Sequence, residues 1–380
     1  MCIRDSLPPL SQINGRLDFT QAGVSVRAIT AQLLGGSLTI AAATREGLLS
    51  VNAQGTFNAA GLKRFADSPV TRAMQGATPY RATINIKKRA ADLLITSDLQ
   101  GLALDLPAPL NKAANEILPL RLERTNLNEQ EAARRGVRAR PEVRGGVRAE
   151  VLGDAISASL GKIVSVQLLR RKEGDEYRIL RGGIAFNEAA SVPDRFGLQI
   201  TGNVRNLDVD RWRAFVPASL ATPTGATAPG AEDPSQLVNA ANLRVSMLDA
   251  GGKRFNEVSV RAARGNNQWQ ATVSSREFAG ELIWRSAGRG SLLARLKHLS
   301  VPENRPGAGT DPSPASTELP AIDLVAENFV TREKKTWSPG VAGRQRRGRV
   351  AHRKIALGQS RGYAFCGRCL EAHGPGKYQS

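Results

Sequence analysis

The sequence predicts a mainly β protein: an elongated array of antiparallel strands that forms a curled sheet or open groove, with a few short helices. Three observations support this prediction. Stretches with an apolar residue at every second position recur along most of the chain. The 37 Gly and 20 Pro residues supply the turns between them. Repeated strand units without an alternating helix pattern indicate an array in which each unit buries its apolar surface on its neighbours.

The first half of the chain predicts a β-meander interrupted by a short helix over residues 61–66. In the last predicted strand of this half, Leu102, Leu104 and Leu106 alternate and therefore face one way. Pro107 and Pro109 end that strand. The strands are predicted at residues 15–19, 23–33, 36–42, 47–57, 80–89, 91–100 and 101–110.

The rest of the chain continues the strand pattern. Residues 124–150 are polar and rich in Arg, which predicts a loop or a sheet edge. A helix is predicted over residues 208–216, with Asp208 as its N-cap. The further strands are predicted at residues 146–153, 165–171, 176–186, 196–207, 242–250, 255–265, 268–275, 280–285 and 291–302.

Low-complexity stretches divide the predicted β-regions. Residues 7–216 are predicted to form a first β-repeat region with short helices, and residues 237–302 a second one. A disordered Pro/Gly/Ala linker is predicted over 217–236, a disordered loop over 303–319 and the start of another repeat over 320–335.

The two ends differ from the rest. Residues 1–6, MCIRDS, correspond to a translated end of a transposase-based sequencing adapter and are interpreted as an artefact. Residues 336–380 hold nine Lys and Arg against one acid, Glu371, and show no strand alternation. A back-translation read one base later restores Gly-punctuated alternating strands, so this segment is interpreted as frameshifted and disordered. A basic tail is the alternative.

The cysteines lie only at these ends. Cys366, Cys369 and His373 offer three ligands, one fewer than a structural zinc site needs. In the shifted frame all three disappear, so no metal site is expected. Between Cys2 and Cys366 the chain has no thiol chemistry at all.

Several function classes fit poorly. His298 is the single histidine of residues 7–335, and no nucleophile or phosphate-loop motif accompanies it, so neither an enzyme nor a cofactor is expected. The net charge of +19 draws +8 from residues 336–380, and aromatic residues are sparse. Nucleic-acid binding is therefore not expected. No apolar run of 18 residues is present.

Apolar ligands fit better. A strand face of Leu, Ile and Val must be buried, either in a closed core or as the lining of an open groove. Burying an acyl chain contributes about 0.8 kcal/mol per CH₂, so an apolar lining alone can bind lipid. Periodicity does not distinguish a groove from a core.

Three segments of the sequence resemble those of a known protein family. Residues 95–124, ITSDLQGLALDLPAPLNKAANEILPLRLER, resemble the most distinctive segment of the YhdP family, whose relatives include AsmA and TamB. Residues 280–302 and 319–335 resemble later repeats of that family. The resemblance implies a periplasmic protein, anchored to the inner membrane by an N-terminal helix, that carries phospholipids to the outer membrane along a hydrophobic β-groove. It also implies that this chain is a fragment without that anchor.

The sequence supports two hypotheses. In the first, phospholipid acyl chains lie in a groove lined by Ile95, Leu102, Leu104 and Leu106. In the second, the chain is a structural or interaction β-protein of the cell envelope, with a closed core and no lipid cargo, in which those leucines are buried by protein.

Overall fold

The computed structural model of the chain describes residues 8–21, 23–87, 90–135, 153–174, 176–220, 237–265, 268–285, 290–302, 321–331 and 355–356. This part is 69% strand and 9% helix. Nineteen strands form one long mixed sheet that is not closed, with a few short helices beside it. The predicted mainly β, elongated fold is therefore confirmed.

The strands of the N-terminal half are β1 (Ser11–Gly15), β2 (Asp18–Thr20), β3 (Gly23–Leu33), β4 (Gly36–Arg45), β5 (Leu48–Asn58), β6 (Met74–Lys87), β7 (Ala90–Ser97), β8 (Leu102–Leu104), β9 (Leu120–Leu127) and β10 (Gly153–Leu160). Those of the C-terminal half are β11 (Val164–Glu173), β12 (Glu176–Phe186), β13 (Gly197–Asp208), β14 (Val238–Ala250), β15 (Lys253–Gly265), β16 (Gln268–Ser274), β17 (Phe278–Arg285), β18 (Ser291–Val301), β19 (Ala321–Thr331) and β20 (Ile355–Ala356). The helices are α1 (Ala59–Phe65), α2 (Pro69–Arg72), α3 (Glu129–Arg134) and α4 (Val209–Leu220).

The spatial order of the sheet follows the chain almost without exception. Strands β3 to β7 pair in sequence, β7 pairs with β9, and β9 to β20 again pair in sequence. Strands β1 and β2 pair with β3 at one edge. The short β8 pairs with the first residues of β6 in a small second sheet.

Three pairs are parallel, whereas antiparallel pairing was predicted throughout. They are β12–β13, β13–β14 and β18–β19. Two parallel neighbours need a long connection, because the chain must return to the end of the sheet where the first strand began. Two antiparallel neighbours need only a tight turn. The predicted linker 217–236 lies in the connection between β13 and β14, and the predicted loop 303–319 lies in the connection between β18 and β19.

The sheet curls at β4. The Cα atoms of β3 and β5, which flank β4, come within 8 Å of one another, whereas strands two apart in a flat sheet lie about 9.5 Å apart. Gly36 makes this possible, because a Cβ there would collide with the carbonyl oxygen of Thr56. The bend therefore requires glycine at that position.

The helices begin where short polar residues can cap them. Asn58 accepts a hydrogen bond from the Gly61 amide at 2.6 Å, which starts α1 close to its predicted position. Asp208 caps α4 by accepting from the Arg211 amide at 2.9 Å, as predicted. Helix α4 continues to Leu220, into the segment predicted as linker.

The end of strand β9 and all of helix α3 lie in residues 124–150, which were predicted to form a loop or a sheet edge. Arg124 and Asn126 take the place of apolar residues in the alternation of β9, so the pattern predicts a polar segment where the strand in fact continues. Helix α3 follows it and is closed at its start by a capping box between Asn128 and Glu131. The predicted strand at 146–153 lies outside the described residues except for Gly153, which begins β10.

Candidate functional site

One residue from each of sixteen strands forms a continuous row across the sheet, and every member of this row is apolar. We call it the central row. The register of the strand pairs places these residues opposite one another in turn: Ile29, Ile40, Ala53, Ala82, Ile95, Leu122, Ala158, Val166, Ile184, Ile200, Ala241, Ala262, Ala271, Leu282, Ala294 and Leu324.

The neighbouring row, one residue along each strand, is polar. Because successive side chains point to opposite faces of a sheet, it belongs to the other face. All but Ala185 and Val325 of its sixteen members are polar or charged: Thr30, Thr39, Gln54, Arg81, Thr96, Arg121, Ser159, Ser165, Ala185, Thr201, Asn242, Arg261, Thr272, Glu281, Arg295 and Val325. Within these two rows one face of the sheet is apolar and the other is polar. Away from the rows, the polar face also holds a buried apolar cluster of Leu127, Ala132 and Leu169 beside α3.

The apolar face carries no second sheet within the described residues. The strands approach chiefly their own neighbours in the sheet. All central-row residues except the buried Ala294 are half-buried. With strands about 4.8 Å apart, fifteen steps make a row about 70 Å long. An apolar surface of this extent is far larger than the isolated apolar residues common on soluble proteins, and it indicates a ligand or partner.

One margin of the apolar face is closed by a cap. We define the cap as α1, α2, residues 98–119, which include β8, and the start of α4. Its buried cluster is Ala59, Leu99, Leu102, Leu104 and Leu106, packed against face residues that include Phe57, Leu120 and Leu160. The cap is tied together by Trp212, whose Nε1 donates to the Ala108 carbonyl at 2.9 Å.

A buried lysine holds the inside of the cap. Lys112 is 4% exposed, and its Nζ donates to the carbonyl oxygens of Leu102 at 2.7 Å and Ala113 at 2.9 Å. Burial lowers the pKa of Lys112, although Glu116 and Asp98 act in the opposite direction. These bonds satisfy a charge that would otherwise destabilise the cap.

The four residues predicted to line a groove separate into two groups. Ile95 lies half-buried in the central row, opposite Ala82 and Leu122. Leu102, Leu104 and Leu106 lie instead in the cap, where they are 1%, 6% and 6% exposed. The three leucines share one side, as their alternation predicts, but that side packs against other residues of the cap.

A second closed cluster lies farther along the same margin. Val204, Val245 and Val258 are buried there, and the rings of Phe255 and Phe278 pack edge to face at 5.4 Å. The margin is thus closed in two places, while the central row between the margins stays uncovered by other described elements.

Tyr80 places a lone hydroxyl at the edge of the cap. Its ring lies 6.0 Å from that of Phe57, and its hydroxyl is buried without a hydrogen-bond partner among the described residues. Burial raises the pKa of Tyr80. An unpartnered buried hydroxyl destabilises the folded state by about 1–3 kcal/mol.

We therefore expect Tyr80→Phe to increase the free energy of unfolding by about 1 kcal/mol. The wild type should also lose stability at high pH. Burial disfavours the ionised phenol in the folded state, so the folded pKa lies above the unfolded one. Ionisation of Tyr80 therefore leaves the stability unchanged below about pH 10 and lowers it as pH rises through the folded pKa. Urea unfolding of the wild type and of Tyr80→Phe at pH 8 and pH 11 measures both the effect of the substitution and the effect of pH on the free energy of unfolding. A less stable Phe variant would show that the hydroxyl has a partner.

The described residues offer little for other chemistry. No group of three or more His, Cys, Asp or Glu among them is placed to hold a metal ion. Cys366, Cys369 and His373, considered above as zinc ligands, lie outside the described residues. No described helix combines the length and the apolar character that a membrane crossing needs.

An open sheet with a continuous apolar row along one face defines the structural class: an extended β-sheet protein whose apolar row no other described sheet covers. The model of the YhdP protein family matches residues 2–344, so the chain belongs to the YhdP family. At family level this membership means AsmA-like lipid transport in the cell envelope. Neither the curated proteins nor the solved structures include a match to the chain.

Proposed function

We propose that the protein carries phospholipids between the inner and outer membranes, with their acyl chains lying against the central row. The observation that carries this proposal is the unbroken row of sixteen apolar residues, one per strand, on a face that no other described sheet covers. The proposal includes a periplasmic location and anchoring to the inner membrane through an N-terminal helix. It assigns no catalytic step to the protein.

The energetics favour many similar positions along the row over one specific pocket. Removing a chain of about sixteen carbons from water contributes on the order of 12 kcal/mol. One leaflet of a bilayer is about 15 Å of hydrocarbon, so a row of about 70 Å offers several successive positions to each acyl chain. Since every member of the row is aliphatic, a lipid moving along it exchanges one apolar contact for another.

A second candidate function is a structural or interaction role without lipid. The buried Leu102, Leu104 and Leu106 favour it, because a closed core was expected to bury these leucines. In this alternative the central row is covered by another protein. The two candidates differ in what touches the central row in the cell.

A photoreactive amino acid at Ile95 tests the two candidates in the full-length protein in its native envelope. We expect a phospholipid adduct there after irradiation. Two controls use the same strand and the cap: Thr96 lies on the polar face, opposite Arg81 and Arg121, and Leu104 lies inside the cap. Neither should give a lipid adduct. Only protein adducts at Ile95, or equal lipid labelling at Ile95 and Thr96, would reject lipid carriage.

A further inference from the structure

A charged cluster interrupts the apolar face near the strand ends opposite the cap. Arg124 of β9 donates from Nε to Asp154 Oδ2 at 2.6 Å. Arg170 of β11 donates from Nε to Oδ1 at 2.8 Å and from Nη2 to Oδ2 at 2.5 Å. The Asp154 side chain is 0% exposed. The ring of Tyr177 lies 5.0 Å from the Arg124 guanidinium carbon and 4.9 Å from that of Arg170.

Strand register puts this cluster beside the central row. Arg124 lies opposite Leu93 on one side and Ile156 on the other, both on the apolar face. It is two residues from Leu122, a member of the central row. Two residues along a strand correspond to about 7 Å. An acyl chain on the row would therefore have guanidinium groups within reach of its polar end.

The cluster holds more positive charge than its own stability requires. One guanidinium is enough to neutralise a carboxylate. Arg170 already does so for Asp154, because it donates one hydrogen bond to each carboxylate oxygen. Arg124 therefore gives the three charged groups a net charge of +1. Surplus charge on an apolar face is unfavourable unless an opposite charge joins it.

The guanidinium groups are both positioned and reachable. Of five N–H donors on each, Asp154 takes one from Arg124 and two from Arg170. The Arg124 and Arg170 side chains are 33% and 24% exposed. Burial acts to lower the pKa of Arg124, but the hydrogen bond and charge of Asp154, with Tyr177, raise it, so the group stays charged. Stacking on Tyr177 restricts both side chains before a ligand arrives.

We propose that Arg124 and Arg170 bind the phosphate group of a phospholipid whose acyl chains lie on the neighbouring central row. The inference rests on the proposed function and adds a preferred stopping place, with a headgroup requirement, to it. Arginine is suited to this role because its planar fork pairs with two phosphate oxygens at once. The rest of the central row selects only for hydrocarbon, whereas this position also selects for an anion.

The test compares two labelled lipids with the same acyl chains, of which only one carries a phosphate-containing headgroup. The purified 380-residue chain is mixed with vesicles containing acyl-labelled phosphatidylglycerol or the matching acyl-labelled diacylglycerol, and the bound label is measured. We expect the wild type to prefer phosphatidylglycerol about tenfold, equivalent to about 1.4 kcal/mol. Arg124→Gln should reduce this preference to less than about twofold. Asp154 keeps its pair with Arg170 in that variant, so the fold should be retained.

Two further variants separate charge from structure. Arg124→Lys should restore part of the phosphate preference, because it restores the charge without the planar fork. Arg121→Gln removes an arginine from the polar face of the same strand and should leave the preference unchanged. Circular dichroism of each variant verifies that the sheet is intact.

The outcomes are distinguishable. Uptake of both lipids by the wild type with no preference, or an unchanged preference in Arg124→Gln, would overturn this inference and leave lipid carriage standing. Displacement of labelled lipid by inorganic phosphate at low millimolar concentration would identify free phosphate as the ligand and also overturn it. Uptake of neither lipid would overturn the proposed function together with the inference.

Discussion

Val166→Glu is expected to reduce phospholipid transport by more than tenfold. Val166 is the eighth member of the central row, between Ala158 and Ile184. A charge in a hydrocarbon environment is unfavourable by about 3 kcal/mol, and about 1.4 kcal/mol corresponds to a factor of ten. An acyl chain that must pass a carboxylate at this point therefore meets a barrier that the aliphatic row lacks. Arrival of newly labelled phospholipid in the outer membrane of cells with the full-length variant measures the effect.

The neighbouring residue provides the matched control. Gln167 lies on the polar face, opposite Ser157 and Gly183, and is exposed. Gln167→Glu introduces the same carboxylate into the same strand without touching the apolar face, so transport should stay close to the wild-type rate. Equal losses in the two variants would point to damage of the strand, and no loss in Val166→Glu would show that lipid does not use the central row.

Leu102→Ala is expected to destabilise the cap by about 3 kcal/mol. Leu102 is 1% exposed, and truncating a buried leucine costs about 2–5 kcal/mol through lost contacts and the cavity left behind. Since the cap is one local unit on a long sheet, it should open without unfolding distant strands. Lys112 is buried inside it, so opening should make the chain sensitive to trypsin after this residue.

Limited trypsin digestion with mapping of the cut after Lys112 follows this opening directly. Ile117→Ala is the control, because Ile117 belongs to the same loop but is 64% exposed. Trypsin should cut the Ile117→Ala variant after Lys112 at the wild-type rate. If Leu102→Ala resists trypsin as well as Ile117→Ala does, Leu102 is not essential to the closed cap.

Local pattern was sufficient to predict most strands but not their register. The bounds predicted for β3 and β12 match the structure, since Gly or acidic residues flank clear alternation there. The central row forms only if each of the sixteen strands pairs with its neighbour in the correct register. Bulges shift that register, as between Val26 and Ile29. Turn lengths and bulges set the register, and single-strand periodicity contains no information on it.

The charged cluster shows why part of the site escaped prediction. Arg124 and Asp154 are thirty residues apart in the chain, and each taken alone marks its stretch as a polar loop. The signal was present in β9, where Leu120 and Leu122 alternate and Arg124 then occupies the next position on the same face. A charge in phase with an apolar alternation indicates a charge on the apolar face, not the end of the strand.

The order of strands has a consequence for how such a protein can change over evolution. Each strand from β9 to β18 is hydrogen-bonded to the next one in the chain, and each strand from β9 to β19 contributes a single residue to the central row. Inserting or deleting one hairpin would therefore lengthen or shorten the path by about 10 Å while its cross-section stays the same. The length of the apolar row is therefore set by the number of strands, and duplication or loss of the short gene segment that encodes one hairpin changes it in equal steps.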